Sequence, residues 1–139
     1  MLFRSDWGSG HKLTADVPEI MGGFGSSVSI SGDRLVLGKP GGMDPETGGP
    51  SSGSAFVFER NGLGDWGTGY ELTAEEDFSG SDFGSNVFIS DDRLAVSAMD
   101  DDGIGCVYVF ERNALGDWGS GHKLTADDGE PYDRFGSSI

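Results

Sequence analysis

One phrase is written three times in this chain. DWGSGHKLTAD stands at 6–16 and again at 117–127, and DWGTGYELTAE lies between them at 65–75. A second phrase, FGSS, FGSN and FGSS, starts at Phe24, Phe83 and Phe135. Both phrases are spaced by 59 and then 52 residues. Such a period constrains the fold more than any single residue does, because a unit too small to bury its own core must stack on its copies. The unit is 52 residues long, and the first full copy carries seven more. The extra residues fall between Gly38 and Gly53, in KPGGMDPETGGPSS. Glycine, proline and polar residues dominate there, as in a lengthened surface loop.

Each unit reads as four strands, A to D. In 26–38, Val28 and Ile30 alternate with serine, then Gly32-Asp33 precedes Leu35, Val36 and Leu37. The stretch 85–97 repeats the pattern around Asp91-Asp92. Two short apolar runs split by a tight polar turn signal a hairpin. SAFVFER (54–60) and CVYVFER (106–112) run β-branched and aromatic residues together, as a strand covered on both faces does. A Gly-rich turn follows at 61–69, and YELTA (70–74) alternates around Leu72 like an edge strand. With 25 glycines, helices have little room.

The predicted fold is therefore all-β: four-stranded antiparallel β-propeller blades packed face to face. A β-solenoid is the alternative, but solenoid coils are shorter and lack hairpins. The copies divide the chain into strands C and D of a partial blade at 1–22, a blade with the loop insertion at 23–81, a blade at 82–133, and the first strand of a further blade at 134–139. That is an incomplete propeller of about two and a half blades. Its open faces and edges are expected to meet further blades in cis, with a ring-closing homo-oligomer as the runner-up.

These residues resemble the FG-GAP repeat, found in the N-terminal propeller of integrin α chains and in secreted bacterial proteins. Phe24-Gly25 and Phe83-Gly84 match its first half. Gly38-Lys39-Pro40 matches the second with one change, and Ser97-Ala98-Met99 keeps only the alanine. The Gly-x-x-aromatic-Val-Phe pattern of strand C matches too. The resemblance implies a seven-bladed propeller, which needs roughly 360 residues, and it implies an exported protein. It also implies a place for calcium. The integrin-type loop reads D-x-D-x-D-G-x-x-D, and SAMDDDGIG (97–105) offers Asp100, Asp101 and Asp102 before Gly103. Ala98 stands where the first Asp belongs and Cys106 where the last does. This loop joins strands B and C, whereas the integrin loop joins A and B. The equivalent loop of the first copy offers Asp44 and Glu46, with Pro45 between them. A solvated polar turn is the competing reading for both.

The formal charge of −15 argues against nucleic acid and anionic membrane surfaces. No run is long and apolar enough to span a membrane, and the first residues lack the apolar core of a signal peptide. Cys106 is alone and reads as a small core residue. His11 and His122 share one repeat position that Tyr70 occupies in the middle copy, so they read as exposed strand residues. GSGHKLT (8–14) lacks the spacer and the Ser or Thr of a phosphate loop. The acidic residues between blades, Glu75, Glu76, Asp77 and Asp82, then Asp127, Asp128, Glu130 and Asp133, lie in Gly-rich surroundings. A glycosidase carboxyl needs an apolar pocket to raise its pKa, and none is visible. Trp7, Trp66 and Trp118 hold one place in each copy. They are expected to cap the blade corners over Leu13, Leu72 and Leu124, with sugar stacking as the alternative. With the extracellular setting that the resemblance implies, these readings point to a non-enzymatic binding or adhesion module presenting loops to a protein or glycan partner. The alternatives are a purely structural segment of a larger secreted protein and part of a polysaccharide-active enzyme.

Overall fold

The computed structural model describes residues 10–14, 22–43, 46–74, 81–99 and 104–139. Eight strands and no helix are found among them. Ser27–Ser31 (β1), Arg34–Lys39 (β2), Ser54–Glu59 (β3) and Tyr70–Leu72 (β4) form one sheet in sequential order. Val87–Ser90 (β5), Arg93–Ala98 (β6), Cys106–Glu111 (β7) and His122–Leu124 (β8) form the second, in the same order. Every neighbouring pair is antiparallel. These are the two predicted blades, and the meander order excludes a solenoid, whose coils pair in parallel.

The turns lie where the sequence places them. β1 turns into β2 at Gly32-Asp33, with Ser31 opposite Arg34. β5 turns into β6 at Asp91-Asp92, where Asp91 takes a φ of 51°. Aspartate tolerates this left-handed geometry better than bulkier residues do.

Register sorts the side chains into two faces. In the first blade, Val28, Ile30, Leu35, Leu37, Phe56 and Phe58 share the front. Ser29, Val36, Val57, Ala55 and Leu72 share the back. In the second blade, Val87, Ile89, Leu94, Val96, Tyr108 and Phe110 form the front. The hydrophobic core joins the back of the first blade to the front of the second, with Phe83 and Trp118 added. The core is thus the seam between blades, so neither sheet encloses one by itself.

Residues at equivalent positions show how much the seam covers. Val28 and Ile30 are 58% and 61% exposed, while their counterparts Val87 and Ile89 are 5% and 2% exposed. On the opposite face, Leu72 is 4% exposed and Leu124 is 41% exposed. One residue type at one repeat position is buried only where a neighbouring blade exists. Full burial of a Val, Ile or Leu side chain is worth about 1.5–3 kcal/mol.

The repeated phrase also acquires a physical reason. Its second glycine, Gly69 or Gly121, lies over the ring of Phe58 or Phe110, and a Cβ there would stand 2.7 Å from the ring edge. Trp118 does not cap Leu124. It is buried in the seam core, beside Val57 and Tyr70 of the first blade, whereas Leu124 faces the opposite side. The indole covers the preceding blade because Trp118 bridges Arg112, which places it at the front of its own sheet. Trp66, at the same position in the first blade, is half-buried; Trp7 lies outside the described residues. Residues 10–14 and 134–139 carry no ladder. In both blades strand A is held by its hairpin to strand B.

Candidate functional site

The two halves of the repeat motif meet across the seam. Gly38, at the end of β2, lies so close to Gly84 that a Cβ would collide with the Gly84 carbonyl oxygen. A Cβ on Gly84, whose φ is +96°, would collide with the Ser54 carbonyl and stand 3.0 Å from the Lys39 amide nitrogen. The Phe83 amide donates to the Ser52 carbonyl at 2.9 Å. Its ring stands edge-on to Tyr108 and Phe110, at centroid distances of 5.4 and 6.2 Å. Phe-Gly is therefore a plug. The phenylalanine fills the core of its own blade, and the glycine lets the backbone sit on the blade before. Phe135 repeats the docking, donating to the Ile104 carbonyl at 2.7 Å.

A serine ladder joins β1 and β5, the first strands of the two sheets. The Val87, Ile89 and Asp91 amides donate to the hydroxyls of Ser27, Ser29 and Ser31, at 3.0, 3.2 and 3.1 Å. These hydroxyls satisfy the β5 amides that face the neighbouring blade, where an unpaired buried N–H would cost about 1–3 kcal/mol. In the second blade Asn86 and Phe88 replace the first two serines. Asn86 Nδ2 donates to the Ser137 carbonyl at 3.1 Å.

An ion network closes the strand ends. Arg112 of the second blade grips Glu59 of the first with both nitrogens of its fork, at 3.0 and 3.1 Å. Arg34 stands 3.5 Å from the same carboxylate and 2.9 Å from Asp92 across the seam. It also donates to the Asp91 carbonyl at 2.9 Å. Within the second blade Arg93 pairs with Glu111 at 3.0 Å. The signal for this network was the recurrence of Asp-Arg at 33–34 and 92–93 and of Glu-Arg at 59–60 and 111–112. Sequence reasoning passed over it because charges at strand ends usually face water alone.

The sequence-predicted calcium residues, Asp100, Asp101 and Asp102, lie outside the described residues, as do Asp44, Glu75, Glu76 and Asp77. Among the described residues no three of Asp, Glu, His and Cys gather closely enough to hold a metal ion. Cys106 is buried in the seam core, and His11 and His122 are exposed. Asp127, Asp128, Glu130 and Asp133 are exposed, and the Asp133 carboxylate accepts from the Glu130 amide at 2.8 Å. No described helix is long and apolar enough to cross a membrane.

Two concavities are lined by described residues. One, of about 530 Å³, lies on the open back of the second blade, floored by Phe88, Ala95 and Val109 and rimmed by Asp91, Asp92 and Arg93. The other, of about 280 Å³, lies in the seam between Val57, Glu59 and Tyr70 on one side and Asp117 and Trp118 on the other. An apolar floor with a charged rim is chemistry for docking a surface.

A family model described as FG-GAP repeat matches residues 7–58 and 66–110, more than half of the chain. Each matched stretch starts at the Trp of the repeated phrase, Trp7 or Trp66, and ends in the third strand of a sheet, β3 or β7. The second runs from β4 of one sheet through β5, β6 and β7 of the next. The second matched stretch thus straddles the seam, and the signature glycines that meet across it, Gly38 and Gly84, come from successive copies of the repeat. A comparison with curated proteins finds no match.

Proposed function

The chain belongs to the FG-GAP repeat family, and from that premise we propose that it is a non-enzymatic recognition module of β-propeller type, working outside the cell and presenting loops to a protein or a glycan. The observation that carries this reading is a pair of braced turns between the third and fourth strands. Asn61 Oδ1 accepts from the Leu63 and Asp65 amides, both at 2.9 Å. Asn113 Oδ1 accepts from Leu115 and Asp117 at 2.9 and 3.0 Å. Each brace holds a leucine, Leu63 or Leu115, almost wholly in solvent. Rigid loops that carry apolar tips lose little entropy on binding, and such tips act as anchors. The proposal extends to calcium at 97–105, where Asp100, Asp101 and Asp102 would supply the hard oxygen donors that calcium prefers.

The test is a labelled chain on arrays of glycans and extracellular matrix proteins. The double variant Leu63→Ser with Leu115→Ser should lose the captured signal while melting as the parent does. Equal capture by parent and double variant would refute the loop reading. For calcium, a native-state ligand must raise the melting temperature. The rise should vanish in Asp100→Asn with Asp102→Asn, and a parent that melts alike in calcium and in chelator removes the ion from the proposal. A second reading, a purely structural segment, is supported by the main core cluster lying between the two blades. It predicts no capture on any array.

A further inference from the structure

The seam inside this molecule is a template, less two rungs of its serine ladder, for a contact that its outer faces can make with each other: Asn86 and Phe88 stand on the open back where Ser27 and Ser29 stand in the seam. We propose that a second copy of this chain docks head to tail, setting the A–B hairpin at the front of its first blade on the A–B hairpin at the back of the second blade. The occupant is argued from equivalence and charge. In the internal seam, Val87 and Ile89 press on the back of the preceding blade, and Asp92 pairs with Arg34 at 2.9 Å. On the open front, Val28, Ile30 and Asp33 hold those same repeat positions, with both apolar side chains exposed. On the open back, Arg93 holds the place of Arg34, beside exposed Phe88 and half-buried Ala95 and Val109. A copy laid on in the internal register brings its Asp33 to Arg93 and its Val28 and Ile30 over Phe88 and Ala95. Opposite charges meet, and two exposed apolar patches are covered. Phe56 and Phe58 on the outer half of the front are already buried, so the contact falls on the inner hairpins.

The register also predicts a competitor. Phe135-Gly136 already occupies the slot at Ile104-Gly105 that Phe24-Gly25 of an incoming copy would take. Residues 24–27 and 135–138 are the same tetrapeptide, FGSS, so one can replace the other with the slot left filled. The contact is heterologous, and repetition gives a ring or an open stack. It does not depend on the recognition role proposed above.

The experiment is sedimentation velocity of the 139-residue chain over roughly a hundredfold range of concentration. The parent should associate as concentration rises. Asp33→Arg leaves arginine on both faces, and Arg93→Asp leaves aspartate on both. Each alone should weaken association at least about tenfold, since like charges then face each other. A mixture of the two variants should regain it, because each front then meets an opposite back. Removal of residues 134–139 should strengthen association by freeing the slot. Melting curves establish that each variant folds, and recovery in the mixture reads the contact independently of any shared loss of stability. A parent that stays monomeric throughout leaves the faces to other blades and overturns the proposal. So do single variants that associate like the parent, or a mixture that stays monomeric.

Discussion

Arg112 and Glu59 are joined across the seam by two parallel hydrogen bonds, at 3.0 and 3.1 Å, although they belong to different sheets. The carboxylate is 44% exposed, so solvent screens part of its attraction. Fork geometry still favours arginine over lysine. Arg112→Ala is expected to destabilise by about 1 kcal/mol and Arg112→Lys by roughly half of that. Urea denaturation at low and high salt checks this: the penalty of the alanine variant should shrink as salt rises.

The isoleucines of strand A offer a matched pair. Ile30 and Ile89 hold one repeat position, one in solvent and one in the seam core. Ile89→Ala should cost about 2–4 kcal/mol, from lost transfer energy plus a cavity. Ile30→Ala should change stability by no more than about 0.5 kcal/mol. Equal costs in urea denaturation of the two variants would mean that the seam is not where the stability resides.

Much of this arrangement was legible in the sequence, and the boundary of legibility is physical. Periodicity located the hairpins because Val28 and Ile30, like Val87 and Ile89, alternate with polar residues. Two-sided burial of SAFVFER followed from its unbroken apolar run. Periodicity does not say which face meets which neighbour. Ser27, Ser29 and Ser31 look like the solvated side of an edge strand, yet they accept the amides of the next blade. The sequence shows turn and strand as neighbours and so points Trp118 at its own blade, whereas the indole reaches the blade before. The signature glycines, Gly38 and Gly84, are far apart in the chain, and only the folded seam shows why neither tolerates a side chain. Asp100, Asp101 and Asp102 fall outside the described residues, so their loop is known by its chemistry alone.

Those glycines give the sharpest stability prediction. A methyl on Gly84 meets backbone atoms, which cannot swing aside, and forces a left-handed φ on an ordinary residue. Gly84→Ala and Gly38→Ala should each cost about 3 kcal/mol or more. Gly62→Ala, where nothing lies within 4 Å of the added carbon, should stay within about 0.5 kcal/mol of the parent. Thermal melts of the three variants decide between a seam built on backbone contact and one that adapts to a methyl.

The braced turns can be probed without touching the core. Asn113 Oδ1 serves two amides, those of Leu115 and Asp117, and the Asn113 amide itself donates to the Asp117 carbonyl at 2.9 Å. Asn113→Ala removes the side-chain acceptor and should cost about 1 kcal/mol. Asn113→Asp keeps an acceptor oxygen at the same distance along the side chain and should cost less, although it exchanges the Nδ2 donor that reaches Asp117 Oδ2 at 3.4 Å for a like charge, a penalty that salt should shrink. Global stability is a blunt readout for an exposed turn, so the discriminating measurement is amide hydrogen exchange. Protection at Leu115 and Asp117 should fall in the alanine variant and persist in the aspartate variant, while the amides of β6 and β7 exchange as before. Protection lost equally in both variants would show that the brace depends on the amide group of asparagine and not on its oxygen alone.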